Sequence, residues 1–253
     1  MAISSSLDAE ARRAHLLQML GAQGRITVSA AAGALGVSEM TLRRDLADLE
    51  GMGQLRRVRG GAVAPLQPRS FAERSARRSA AKKAIAQKAL PLVPSQGTCA
   101  FDASSTAGVL LSAIGDAAEL TAVTNSAENF EAVSGKPGIS PILLGGHRHE
   151  TTQSFVGPLA DLLASSLHYG KFFTSAAAVD PEWGTSEATA EEAALKRTLS
   201  RHADLTILLA DSSKLGSQAS ARALALDDVD VLITDLDPDD ARLDPYRRSA
   251  EIR

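Results

Sequence analysis

The stretch that decides the fold of the first part of the chain reads Gly36-Val37-Ser38-Glu39-Met40-Thr41-Leu42-Arg43-Arg44-Asp45-Leu46. Gly36 favours a turn that ends one helix, and Ser38 is a good cap for the helix that follows. Three leucines at helical spacing face a core: Leu42, Leu46 and Leu49. Other residues of the same helix lie outward: Met40, Thr41, Arg43 and Arg44. The stretch therefore predicts a sharp turn and a helix that exposes two adjacent arginines.

The sequence on both sides completes a small domain. Leucine spacing predicts a helix from Asp8, an extended stretch follows at 25–28, and Ser29 is placed to cap a helix over 30–35. Residues 54–63 hold two apolar and basic segments around a pair of glycines, a pattern typical of a hairpin. This order of elements predicts a winged helix-turn-helix domain, whose third helix enters the major groove of DNA.

The residues of this domain that we expect to contact double-stranded operator DNA are Ser38, Met40, Thr41, Arg43, Arg44, Arg57 and Arg59. Hydroxyl groups hydrogen-bond to phosphate, and an arginine fork pairs with phosphate or with the two acceptors of guanine. Arginines of the hairpin contribute backbone affinity that weakens with salt. In an alternative interpretation, the paired arginines only solvate the helix and bind nearby acids: Asp45, Asp48 or Glu50.

The rest of the chain has a different pattern. After Pro65 and Pro68, an arginine-rich polar stretch predicts a linker. Short apolar strands then alternate with helices; the predicted strands are 98–102, 120–124, 139–144, 171–175, 205–210 and 231–234. Such alternation predicts an α/β fold with a doubly wound, mostly parallel sheet. The predicted organisation is a winged helix-turn-helix domain at 1–64, a linker at 65–80 and an α/β effector domain at 81–253.

Polar residues follow several of these strands, at the edge where an open α/β sheet binds its ligands. They are Asp102, Ser104, Ser105, Thr106, Thr124, Asn125, Ser126, Gly145, Gly146, Asp211 and Lys214. The stretch 104–106 combines hydroxyl groups with the backbone N–H groups of a helix start, which suits a phosphate, and Lys214 adds a positive charge. Taken alone, 104–106 is equally typical of a helix cap without a ligand.

A close resemblance to the DeoR family of bacterial transcriptional regulators is carried by residues 36–46, by Leu49-Glu50 and by Arg57-Val58-Arg59-Gly60-Gly61-Ala62. It extends from residue 11 to about residue 235 and implies an effector domain similar to ribose-5-phosphate isomerase. Four motifs of that domain correspond to 102–106, 124–126, 145–146 and 211–214. Ser104 replaces the usual glycine of the first motif, and Arg59 stands where the family usually has histidine.

The resemblance implies a sequence-specific DNA-binding regulator, a repressor of sugar catabolism genes that responds to a phosphorylated sugar or a related metabolite. The alternative is an active sugar-phosphate isomerase with a DNA-binding appendage. Related isomerases carry a further acidic residue and a lysine where this chain has 176–180 and 181–185. The missing constellation favours binding over turnover. No catalytic residue and no cofactor are predicted, and Asp180 is expected near the effector.

Composition and charge set further bounds. The 253 residues are 44% hydrophobic and 23% charged, which excludes a fibrous or disordered chain. The net charge of -3 divides into +5 for residues 1–80 and -8 for the rest, so the predicted DNA-binding part is the basic one. The single cysteine and the lack of a long apolar run predict a cytoplasmic protein without a membrane partner.

Two further expectations concern assembly and metals. Helix-turn-helix proteins read paired half-sites as symmetric pairs, so we expect a homo-oligomer, either a dimer or a tetramer. The run His147-Arg148-His149-Glu150 has the residue types of metal ligands but no evident fourth ligand, so no metal site is predicted.

Overall fold

The computed structural model describes residues 9–23, 25–52, 54–58, 60–63 and 68–253. The chain divides into two compact units, 1–66 and 67–253. Arg59, the predicted boundary between residues 64 and 65, and Pro65 lie outside the described residues. Among the helices of these described ranges, none has the length and apolar character that a membrane span requires.

The first unit is a winged helix-turn-helix. Its elements are α1 (Ala9–Gln23), β1 (Arg25–Thr27), α2 (Val28–Leu35), α3 (Glu39–Gly51), β2 (Arg56–Val58) and β3 (Gly61–Val63). The three strands form an antiparallel sheet in the order β1-β3-β2. The hairpin of β2 and β3 is the predicted wing.

Local chemistry sets the turn between α2 and α3. Gly36 has a φ of 65°, a left-handed conformation that glycine adopts without strain, and it ends α2. Ser38 caps α3, since its Oγ accepts a hydrogen bond from the Thr41 N–H at 3.1 Å. The cap of α2 is Thr27 and not the predicted Ser29, because the extended backbone of β1 ends at Thr27 and α2 already begins at Val28.

The core of this unit contains the three predicted leucines of α3, each at most 1% exposed, packed with Leu16 and Leu20 of α1. A buried ion pair adds to it: Nε of Arg12 lies 2.5 Å from Oδ2 of Asp45. A second contact at 3.1 Å makes the pair bidentate and joins α1 to α3.

The second unit is an α/β domain. In chain order its elements are α4 (Phe71–Ala76), α5 (Ser79–Ala89), β4 (Gln96–Phe101), α6 (Ser105–Ala113), β5 (Glu119–Thr124), α7 (Ala127–Val133), β6 (Ile139–Leu143), β7 (His147–Arg148), β8 (Phe155–Val156), α8 (Pro158–Ser165), β9 (Lys171–Thr174), β10 (Ala178–Asp180), β11 (Gly184–Glu187), α9 (Ala190–Arg201), β12 (Thr206–Leu209), β13 (Ala221–Arg222), β14 (Val231–Ile233) and β15 (Glu251–Ile252).

Seven strands form one parallel sheet in the order β15-β14-β12-β9-β4-β5-β6. Both faces of this sheet are covered. Ile207 and Leu209 of β12 belong to the same cluster as Phe101 and Phe173, whose rings stack 5.0 Å apart, whereas Leu208 belongs to a different cluster. This arrangement confirms the predicted doubly wound fold and explains why the strands read as continuous apolar runs.

The order in which strands are added to the sheet reverses at β4. The chain adds β5 and then β6 on one side of β4, and it then adds β9 on the other side. Helices after the two central strands leave a crevice at such a reversal, and open α/β sheets bind ligands there. A ligand site is therefore expected at the carboxyl ends of β4 and β9.

Several elements differ from the sequence-based expectation. The sequence predicts a helix over 187–202, but α9 begins at Ala190, because Glu187 ends β11 and Thr189 is the cap. The stretch predicted as a linker contains α4. The small antiparallel sheet β10-β11-β13 was not predicted, since its strands of two to four residues are too short to show a period.

Candidate functional site

The first candidate site is the exposed face of α3 together with the wing. Met40 is 80% exposed, and Arg43 and Arg44 are also exposed. Ser38 and Thr41 lie at the start of α3, where their hydroxyl groups are 2.9 Å apart. Arg57 is exposed on β2 of the wing. The structure thus places all the described candidates for DNA contact on α3, at its N-cap or on the wing.

Ion pairs distinguish the two adjacent arginines. Arg43 pairs with Glu39 at 3.1 Å, one turn earlier on the same helix. The acids that were candidate partners are engaged by other arginines: Asp45 by Arg12, Asp48 by Arg13 and Glu50 by Arg57. Within the described residues, Arg44 makes no ion pair. Its charge is the most available one on α3.

The second candidate site lies in the crevice between β4 and β9, with Asp102 at its centre. Asp102 is 1% exposed, and its Oδ1 accepts a hydrogen bond from the Ser104 N–H at 3.0 Å. Its Oδ2 accepts from the Ser175 N–H at 2.7 Å and from the Thr174 hydroxyl at 2.9 Å. These bonds tie the ends of both strands together. The carboxylate of Asp102 therefore positions the loop that starts α6.

A buried lysine balances this carboxylate. Nζ of Lys196 on α9 lies 3.0 Å from Asp102, and it also donates to Glu187 and, at 2.7 Å, to the Ser175 carbonyl. Burial disfavours the charged form of Asp102, but Lys196 and the hydrogen bonds favour it more strongly, so the pKa of Asp102 is lowered. Burial raises the pKa of Glu187 to about 7, despite Lys196. The two carboxylates outweigh burial and raise the pKa of Lys196, so this lysine is charged at neutral pH.

The start of α6 forms a cradle, which we define as residues 104–107. Ser104 caps the helix by accepting from the Ala107 N–H at 3.0 Å. Helix geometry leaves the N–H groups of Ser105 and Thr106 without an intrahelical acceptor. Thr106 is 1% exposed, and its hydroxyl oxygen has no hydrogen-bond partner among the described residues. A buried polar atom without a partner indicates a missing one, and a small anion fits the donors of this helix start.

The carboxyl end of β5 meets the cradle. Ser126 caps α7, and Thr124 accepts from the Ser126 N–H at 3.3 Å. Asn125 is 4% exposed and donates to the Phe155 carbonyl at 3.1 Å. Asn129 of α7 donates to the carbonyl groups of Asp102 and Ser104, which holds the two loops together. The amide oxygens of Asn125 and Asn129 lack partners within the part of the chain that the structure describes.

The remaining predicted residues differ in their placement. Gly146 has a φ of 124°, and a Cβ there would lie 2.5 Å from the Val156 carbonyl oxygen, so it allows the close approach of β8. Gly145 beside it is half-buried. Asp180 is the last residue of β10, and its carboxylate accepts hydrogen bonds from the Glu182 and Trp183 N–H groups of the turn that leads to β11. It therefore holds a hairpin turn and does not lie at a strand end of the large sheet.

Lys214 lies after β12, beside the crevice. Its Nζ donates to the Ser175 hydroxyl at 2.7 Å and lies 4.0 Å from Asp211. Burial, with Lys196 nearby, lowers the pKa of Lys214 although Asp211 opposes this shift. Asp211 is 3% exposed and caps the short turn that carries Lys214. Lys214 thus brings a partly buried ammonium group to the Asp102 network.

Sequence reasoning missed several polar residues of this site: Thr174, Ser175, Glu187, Asn129 and Lys196. Lys196 is buried on α9, whose polar and apolar residues alternate as in any amphipathic helix. The sequence pattern therefore does not distinguish Lys196 from an exposed lysine. Within the run at 147–150, Nδ1 of His149 accepts hydrogen bonds from the Thr151 and Thr152 N–H groups. Across the described ranges, no cluster of His, Cys, Asp or Glu is arranged to hold a metal ion.

Comparison with known proteins gives the family. The DeoR-like helix-turn-helix domain matches residues 12–67, and the DeoR C terminal sensor domain matches residues 77–236, more than half of the chain. This chain belongs to the DeoR family of transcriptional regulators. The family match agrees with the winged helix-turn-helix and the α/β unit described above.

Two relatives of this DeoR-family regulator match along almost their whole length. The uncharacterized HTH-type transcriptional regulator YulB of Bacillus subtilis (strain 168) is 38% identical over 90% of each chain. The lactose phosphotransferase system repressor of Streptococcus mutans serotype c is 33% identical over 96% of this chain and 98% of its own. The family and these relatives are transcriptional regulators and not enzymes, so the isomerase alternative is not favoured.

Among solved structures, a D-ribose-5-phosphate isomerase in complex with phospho-erythronic acid covers 53% of this DeoR-family chain and 52% of its own. The identity is 15% and the TM-score is 0.39. A likeness at this level supports no statement about activity.

Proposed function

We propose that this DeoR-family protein represses carbohydrate catabolism genes in the cytoplasm and that a phosphorylated sugar, bound in the crevice between β4 and β9, controls its affinity for operator DNA. The observation that carries the proposal is the cradle at the start of α6. It combines free helix N–H groups with the unpartnered, buried hydroxyl of Thr106. A phosphate supplies acceptors for such donors, as anions do at helix N-termini.

Net charge alone does not explain how an acidic unit captures an anion. The residues after position 80 carry a net charge of -8. The charge of Asp102 is balanced locally by Lys196, and Lys214 adds a further cation beside Ser175. Because salt screens distant surface charges, an anion in the crevice interacts mainly with these nearby groups and with the N–H groups of the cradle, and less with the net charge of the unit.

We assign the DNA-contacting role to α3 and the wing. Arg44 is the chief candidate for a base or phosphate contact, because Glu39 already pairs with Arg43. Ser38, Thr41, Met40, Arg57 and Arg59 complete the proposed interface. The class of effector is suggested by the Streptococcus mutans relative, which is a lactose phosphotransferase system repressor.

We further propose that the protein acts as a homo-oligomer. A symmetric pair of helix-turn-helix units matches two half-sites. On α8, three leucines at helical spacing are 47–65% exposed: Leu159, Leu162 and Leu163. A second copy of this chain is the occupant we assign to this face, because a self-complementary contact between effector units produces the pair that operator symmetry requires.

The experiment uses the purified full-length protein and an operator selected from a random DNA library. Inorganic phosphate, glucose 6-phosphate, fructose 1-phosphate, fructose 6-phosphate and ribose 5-phosphate are each tested for a rise in thermal stability and for a change in DNA affinity. We expect at least one sugar phosphate to do both, and its unphosphorylated sugar to do neither. If no phosphate ester changes either property, the effector assignment is wrong. Turnover of any of them would support the isomerase alternative.

A further inference from the structure

The residue that joins the cradle to the rest of the site lies on α4, within the stretch that the sequence predicts as a linker. Arg74 donates through one terminal nitrogen to the Ala103 carbonyl and through the other to the Thr152 carbonyl, both at 2.9 Å. Ala103 lies in the loop between Asp102 and the cradle. Thr152 lies in the loop between β7 and β8, which is bridged to the end of β5 at Ser126 and Ser154. One guanidinium group thus holds two loops of the proposed site.

Other contacts attach α4 firmly to the same region. The guanidinium lies 5.6 Å from the centre of the Phe71 ring. A Cβ on Gly108 of α6 would lie 3.2 Å from that ring, so Phe71 packs closely on the helix that carries the cradle. Lys82 is 4% exposed and donates to the carbonyl groups of Arg74 and Arg77 at the end of α4. Phe71 and Arg74 therefore hold α4 against α6 and against both loops.

The chemistry of Arg74 suits a transmitting role better than a static one. Both acceptors of its side chain are backbone carbonyl groups of loops, and its Nε is buried without a hydrogen-bond partner among the described residues. A planar fork spans two acceptors in a fixed relative orientation. Because the two terminal nitrogens of Arg74 hold both carbonyl groups, the guanidinium resists any change in the separation of the two loops.

We propose that Arg74 is a positioning residue that couples occupancy of the cradle to residues 68–76, the chain segment that leads from the DNA-binding unit into the effector unit. The proposal rests on the effector site proposed above. It predicts that effector binding and DNA binding remain in an Arg74 variant while the link between them is lost.

The test is hydrogen–deuterium exchange on the full-length protein with and without inorganic phosphate and the most stabilising sugar phosphate of the panel. In the wild type we expect slower exchange in peptides covering 102–110 and also in peptides covering 68–78. In Arg74→Lys, which keeps the charge but loses the two-pronged geometry, we expect protection at 102–110 alone. The sugar phosphate should change DNA affinity by about tenfold or more in the wild type and by less than about twofold in this variant.

Arg77→Ala is the matched control, since Arg77 is an exposed arginine at the end of the same helix and should keep the full response. Arg74→Gln serves as a second variant, and thermal unfolding of each variant establishes that it is folded. Equal protection of 68–78 in the wild type and in both Arg74 variants would overturn the coupling role. Protection at 102–110 but not at 68–78 in the wild type would also overturn it. Absence of protection at 102–110 with every probe would instead reject the effector site, and the coupling role with it.

Discussion

Replacing Thr106 by valine tests the cradle through two effects of opposite sign. Valine has nearly the same shape as threonine and removes only the hydroxyl, whose oxygen is buried and without a partner among the described residues. An unsatisfied buried hydroxyl costs about 1–3 kcal/mol. We therefore expect Thr106→Val to raise the free energy of unfolding of the ligand-free protein by about 1 kcal/mol, or roughly 2–4 °C in Tm for a unit of this size.

The same substitution should weaken effector binding. Loss of one hydrogen bond to a charged group costs about 1.5–3 kcal/mol, which is at least tenfold in Kd. At an effector concentration of 100 times the wild-type Kd, the wild type gains about 2.7 kcal/mol of stability. A variant with a tenfold higher Kd gains only about 1.4 kcal/mol at that concentration. Thr106→Val should thus be more stable than the wild type without effector and respond less to it.

Thr174→Val is the matched control. Thr174 is fully buried, and its hydroxyl donates to the charged Asp102 at 2.9 Å, so we expect a loss of about 1.5–3 kcal/mol from the same chemical change. Urea unfolding followed by tryptophan fluorescence measures both, because Trp183 is the single tryptophan and lies in the effector unit. If Thr106→Val destabilises the protein as much as Thr174→Val, or leaves effector-induced stabilisation unchanged, the cradle is an ordinary helix cap.

Three further outcomes follow from the structure. Arg44→Ala should weaken operator binding by about 1–3 kcal/mol and reduce the salt dependence of the binding constant by about one unit of slope. Arg43→Ala should have a smaller effect, because Arg43 already pairs with Glu39. DNA titrations at several salt concentrations compare the two variants, and equal losses would contradict the assignment. Burial raises the pKa of Glu187 to about 7 from 4.5, so the folded protein binds more protons than the unfolded chain between these values and its stability falls as pH rises from about 4.5 to 7. Glu187→Gln should remove this decline of about 1–3 kcal/mol, which urea titrations at pH 5 and 7.5 measure. An unchanged difference in stability between the two pH values would refute Glu187 as its cause. Leu162→Glu on α8 should lower the mass measured by light scattering to that of a monomer, with Glu182→Lys, another exposed site, as a control that keeps the assembly.

Periodic patterns predicted the helix-turn-helix and the parallel sheet, because both depend on local signals. Gly36 and Ser38 act on residues within a few positions of their own, and the spacing of the leucines in α3 is by itself that of a helix with one buried face. Apolar strands followed by polar turns likewise indicated the edge where Asp102 and the cradle lie. The helix cap is Thr27, two residues before the predicted Ser29, and the prediction was wrong because several hydroxyl residues lie near the start of α2.

Local sequence patterns did not predict contacts between residues that are far apart in the chain. Arg12 and Asp45 are 33 positions apart, and Arg74 and Thr152 are 78 positions apart. A charged residue in a polar stretch reads as exposed, whatever it meets in the folded protein. The segment 71–76 was therefore predicted as a linker, although as α4 it packs against the proposed effector site.

Local order along the chain was enough to establish a basic helix-turn-helix followed by a doubly wound sheet, because turns, caps and hydrophobic spacing are properties of neighbouring residues. The chemistry of the crevice arose only when the sheet brought β4 beside β9. That pairing, together with the packing of α9 against β9, places Asp102, Ser175 and Lys196 within hydrogen-bond distance although up to 94 positions separate them in the chain. Burial then sets their charges, since the pKa of a carboxyl group depends on the groups and the water that the fold leaves around it.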